Sequence, residues 1–174
     1  MNARLDEMMF GQAAAAALAG LSVPQLNNWL HRDRLFYGER PGRGQAWSFS
    51  FSNVFTLAGI RAFVEDTGLA STIAVRALGS HSLLGAFFEG SSFVLSLTDD
   101  GHWAAVGNLR RVEMHINPEK IWIEMRERCL AHLPAETMAF EAEVAEIRRR
   151  QNPSADTFHA IAEKAYSSRG QTGE

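Results

Sequence analysis

Between positions 25 and 32, Gln25, Asn27, Asn28, His31 and Arg32 fall on the polar side of a short stretch whose apolar residues recur at helical spacing. A carboxamide can donate to and accept from one adenine edge at the same time. A guanidinium does the corresponding job on guanine or on a phosphate oxygen. A little further on, the glycine-rich run YGERPGRGQAW carries Arg40, Arg43 and Gln45. Gly38, Gly42 and Gly44 let this run bend, Pro41 stiffens its entry, and its arginines are placed to meet anionic oxygens. These groups suit hydrogen-bonded recognition of a planar, polyanionic partner rather than bond making.

Bond making finds little else in the chain. No G-x-S-x-G, Walker A loop, H-E-x-x-H or G-x-G-x-x-G occurs. The carboxylate pair Asp99-Asp100 stands directly before Gly101, where turn chemistry accounts for it. There is one cysteine, Cys129, so neither a disulfide framework nor a thiolate zinc site can form within one chain. His81, His102, His115, His132 and His159 are scattered without ligand spacing. The expectation is a non-enzyme with no catalytic residue, no metal and no cofactor.

The polar face needs elements to hold it. Gly11 to Leu18 reads as an alanine-rich helix, with Gly20 suited to the left-handed position that ends it. Ser22 suits the N-cap of a second helix over Val23–His31, and Pro24 sits in the first turn where its missing N–H matters little. Val23, Leu26, Trp29 and Leu30 are expected to face the core. FSFSNVFTLAGIRAFVEDTG, from Phe49 to Gly68, reads as a third helix, and residues from about Ala70 to Leu84 as a fourth.

Helix, turn, helix, basic loop, helix over residues 10–84 resembles the N-terminal DNA-binding domain of MerR-like transcription regulators. The aromatic-Ser-x-x-Asp-Val step of that family is matched by Phe49, Ser50, Phe51, Ser52, Asn53 and Val54, with Asn53 in place of the acid. Asp66-Thr67-Gly68-Leu69 corresponds to its Gly-Phe/Leu step. The resemblance implies a winged helix-turn-helix on double-stranded DNA, read by Gln25, Asn27, Asn28, His31 and Arg32 and held by Arg40, Arg43 and Gln45. Leu26-Asn27-Asn28-Trp29 stands where the family has Leu-Arg-Tyr-Tyr, implying different base preferences, and Asp33-Arg34-Leu35 stands where it has Gly-Leu-Leu.

After Phe88 the pattern changes. Phe93–Leu97 and His102–Val106 read as strands joined at Asp100-Gly101, with Val112–Ile116 able to add a third. Asn117 and Pro118 open a helix to His132 whose apolar face holds Ile121, Met125 and either Ile123 or Cys129. Helices follow over Glu136–Gln151, with Met138, Val144 and Ile147 apolar, and over Ala155–Tyr166. Trp103, Trp122, Phe87, Phe88 and Phe93 read as the core of this part. Pro118, Pro134 and Pro153 break the long coiled coil usual in the family.

The expected fold class is mainly α with small β. A winged helix-turn-helix over residues 1–85 is followed by a small α+β module over 86–168, with a β-hairpin or three-stranded sheet, C-terminal helices and a tail over 169–174. Net charge is −3, yet residues 20–63 hold five arginines against two acids, while residues 86–174 hold ten bases against fourteen acids. A positive reading head on an acidic remainder fits nucleic-acid binding. No apolar run approaches the ~18 residues of a membrane span, so a cytoplasmic protein without a membrane partner is expected. One reading head covers few base pairs, so a homodimer on a symmetric operator is expected, paired through helices 119–132 and 136–151. RNA polymerase and a small-molecule effector are left open as further partners. Two other readings stand beside this one. The first is a DNA-recognition subunit like the small terminases of phages, and the second is a protein-interaction adaptor built on the same helices.

Overall fold

The computed structural model describes residues 4–39, 41–79, 82–97, 103–104 and 113–151. These residues are mainly helical, with two small antiparallel sheets. A 3-10 turn at Leu5–Glu7 leads into strand β1 (Met9–Gly11), and helix α1 (Gln12–Ala19) starts on Gly11. Gly20, at φ 76°, ends α1 by returning its N–H to Ala16 and Ala17.

Helix α2 (Val23–His31) has the expected bounds, and local chemistry sets its start. Ser22 Oγ accepts from the Gln25 N–H at 3.3 Å while Gln25 Oε1 accepts from the Ser22 N–H at 2.9 Å, a closed capping box. Leu26, Trp29 and Leu30 are buried; Val23, expected with them, is exposed.

A second 3-10 turn (Tyr37–Glu39) and the loop from Pro41 lead to strand β2 (Ser48–Ser50), which pairs with β1 as Met9↔Ser50, Phe10↔Phe49 and Gly11↔Ser48. Trp47 stacks on Phe49 with ring centroids 5.7 Å apart. Helix α3 (Phe51–Thr67) follows directly, capped by Ser50 with Asn53 closing the box. It is the central element, buried along nearly its whole first half and packed against α1.

The stretch expected as one helix over Ala70–Leu84 is two helices, α4 (Ser71–Leu78) and α5 (Leu83–Glu89). Gly79 caps α4, and a new cap opens α5, where Ser82 Oγ accepts from the Gly85 N–H at 3.1 Å. Strand β3 (Phe93–Leu97) lies in the middle of a three-stranded sheet between β4 (Trp103–Ala104) and β5 (Glu113–Ile116). Asn117 caps helix α6 (Pro118–His132) through its Oδ1, which accepts from the Glu119 N–H at 2.9 Å, and helix α7 (Pro134–Gln151) begins at Pro134 itself. On α6, Cys129 joins Ile121 and Met125 in the interior while Ile123 points out, and on α7 Met138 is exposed. The Asp100-Gly101 turn, the helix expected over 155–166 and the tail lie outside the described residues.

One buried cluster runs from Leu5 to Val144 and crosses the expected boundary at 85, which falls inside α5. Its centre is aromatic. Phe140, fully buried, meets Trp122 at 5.1 Å, Phe51 at 5.2 Å, Phe88 at 5.6 Å and Phe87 at 6.1 Å. Trp122 and Phe87 are therefore core residues here, and Phe88, half-buried, packs against them. No described helix is long and apolar enough to cross a membrane.

Candidate nucleic-acid interface

The solvent side of α2 is built by what its other side buries. With Leu26, Trp29 and Leu30 turned inward, Gln25, Asn28 and His31 are turned outward. Asn28 and His31 have side chains with no hydrogen bond or ion pair among the described residues, so their donors and acceptors are open to a partner. Gln25 has its carbonyl oxygen committed to the cap, also accepting from Ser22 Oγ at 2.8 Å, and offers only its NH₂ outward. Asn27 is half-buried and turned toward the start of α1, where its Oδ1 accepts from Gln12 Nε2.

Arg32 is not a free reader. Its Nε donates to Asp33 Oδ1 at 2.8 Å and its Nη2 to Asp33 Oδ2 at 3.1 Å, with a further bond from Nη2 to Ser71 Oγ at 2.9 Å. Asp33 has a buried side chain that also accepts from Ser71 Oγ at 2.9 Å and Thr72 Oγ1 at 3.0 Å. The network clamps the end of α2 to the start of α4. The guanidinium of Arg32, then the two hydroxyls, hold the Asp33 carboxyl below its ordinary pKa, against the opposing effect of burial.

In the loop from Pro41 to Trp47, Gln45 is used locally. Its Oε1 accepts from the Gly42 N–H at 3.2 Å and its own N–H donates to the Gly42 carbonyl at 3.0 Å, around Gly44 at φ 81°. That closed turn presents Arg43 to solvent with no partner among the described residues. Arg40 lies outside the described residues. Helix α1 packs on both α2 and the β1–β2 ribbon, so it fixes α2 and the base of this loop to one frame.

The ion-pair pattern sorts the basic residues. Arg4, Arg32, Arg61, Lys120, Arg126, Arg148, Arg149 and Arg150 all pair with carboxylates, and Arg128 donates to the Leu18 carbonyl. Among the described residues, Arg34, Arg43 and Arg76 have neither a carboxylate partner nor a hydrogen bond. All three lie in the segment from the end of α2 to α4. Arg34 follows α2 directly, with its guanidinium 5.8 Å above the Tyr37 ring, and Arg76 is on the exposed side of α4. Arg34, Tyr37 and Arg76 are not among the DNA contacts expected from the sequence. The charge tally over residues 20–63 includes Arg34 and leaves out Arg76, and only the pattern of pairing separates these two arginines from the other cations.

No protein-family profile, curated protein or solved structure matches the chain.

Proposed function

We propose that the chain is a sequence-specific double-stranded DNA-binding protein, a transcription regulator that reads its site through a winged helix-turn-helix. In this reading α1 and α2 are the helix pair and the 41–47 loop is the wing. Asn28, His31 and the Gln25 NH₂ address base edges, while Arg43 addresses the backbone or minor groove. The observation that carries the reading is that the unpaired arginines Arg34, Arg43 and Arg76 all fall in the segment from the end of α2 to α4, while nearly every other described cation is neutralised within the fold. Arginines held without a counter-charge suit a surface completed by an anionic partner.

The protein acts as a homodimer on a symmetric site. In this reading the pairing runs through α6 and α7, where Ile123 and Met138 are exposed. Selection from a random duplex library, followed by affinity against salt, tests the proposal. It expects a palindromic motif bound far more tightly than bulk DNA. Binding that never distinguishes sequences rejects sequence-specific regulation, and absence of binding rejects DNA recognition altogether.

A further inference from the structure

Beside the end of α2, a cleft of about 360 Å³ opens between residues 33–39 and the last turn of α4. Arg34, Tyr37 and Glu39 line one side, Val75 and Arg76 the other, over the buried side chain of Leu35. Two guanidinium groups therefore share a concave site. Neither carboxylate of the lining is ion-paired with them. Asp33 is neutralised by Arg32, while Glu39, whose Oε2 accepts from Asn53 Nδ2 at 3.2 Å, keeps its charge, so the two guanidinium groups leave the lining net positive.

The backbone here is unusual as well. Arg34 and Phe36 both adopt left-handed conformations, at φ 58° and φ 53°, which glycine takes freely and other residues rarely do. Arg34 thus occupies a position where local conformation favours glycine. Strain of this kind is maintained where the surrounding structure enforces it, and it clusters at ligand-binding positions.

We infer that this cleft is a backbone-phosphate site: Arg34 and Arg76 grip a phosphodiester of the duplex where the strand passes the C-terminal end of α2. The inference rests on the DNA-binding reading above and adds to it a contact outside the helix and the wing. A helix seated in the major groove has strand phosphates passing its ends, and contacts to them fix its register without reading sequence. Two arginines on opposite walls can share one phosphate group by charge-assisted hydrogen bonds, and the Tyr37 ring steadies the Arg34 guanidinium from below.

The test uses the full chain with Arg34→Gly, Arg76→Gln and the double substitution. Affinity is measured over a salt series on the selected duplex and on a scrambled duplex of equal length. The double variant is expected to weaken both duplexes by the same factor. Its plot of log affinity against log salt should be shallower by about 0.9, since the two arginines hold one phosphate between them and each phosphate neutralised contributes about 0.9 to the slope. Arg34→Gly should melt no lower than the wild type, because glycine relieves the left-handed position. Arg76→Gln, an exposed change on α4, reports independently of that relief. Wild-type slope and affinity in the double variant would overturn the site while leaving DNA binding intact. A wild type that binds neither duplex would overturn the functional reading and the cleft assignment together.

Discussion

Replacing Asp33 by alanine removes the acceptor on which the end of α2 and the start of α4 converge. The wild-type carboxylate has a side chain 1% exposed and takes two bonds from Arg32 and one each from Ser71 and Thr72. Arg32 is largely in water and its share is screened, so only the two hydroxyl donors are counted. At about 1.5 kcal/mol for each bond to a charged acceptor, the loss is about 3 kcal/mol. For a chain of this size that lowers Tm by roughly 6–12 °C, read by calorimetry or circular dichroism. The pH dependence carries a definite sign. Because the folded pKa of Asp33 is depressed, its contribution is fully present above the unfolded value near ~3.9 and is lost as pH falls through the lower folded value. The gap between wild type and Asp33→Ala should therefore stay level from neutral pH down to about pH 5 and close in stronger acid. A Tm within about 2 °C of wild type, or a gap unchanged in strong acid, would refute the clamp.

Five further outcomes follow from the structure. Asn28→Ala should remove about 1–3 kcal/mol of discrimination at one base position of the selected site, whereas Arg43→Ala should weaken all sequences alike and make the salt slope shallower by about 1. A Cβ at Gly20 would stand 3.1 Å from Arg61 Nη1 at a backbone of φ 76°, so Gly20→Ala should cost roughly 1 kcal/mol or more in thermal melts. Phe140→Ala should cost about 3–5 kcal/mol and lower a single calorimetric transition, because the residue lies within one buried cluster that joins the described helices from α1 to α7. Burial pushes the Cys129 thiol up to about 11, so a thiol reagent near pH 8 should label it only after denaturant is added.

Local chemistry was legible in the sequence, and long-range pairing was not. Ser22 with Pro24 marked the start of α2, and Asn117 with Pro118 marked α6, because a cap and a first-turn proline act within a few residues. The capping-box spacing of Ser22 and Gln25 also carried the signal that the Gln25 oxygen is committed. The break between α4 and α5 did have a local signal, because Gly79-Ser80-His81-Ser82 interrupts the apolar spacing between Leu78 and Leu83 and supplies Ser82 as a cap. The diversion of Arg32 was invisible. Ser71 and Thr72 are far along the chain, and only folding brings their hydroxyls to Asp33. The same holds for the β1–β2 pairing, two strands of three residues each joined across the whole helix pair.

The central claim, that duplex DNA docks on α2 and the 41–47 loop, is tested most directly by amide chemical-shift mapping of labelled protein titrated with the selected duplex. The account predicts the largest changes over Ser22–Leu35 and Gly42–Ala46, with the outer faces of α6 and α7 unmoved. Changes centred on α6 and α7, or none at saturating duplex, would contradict it.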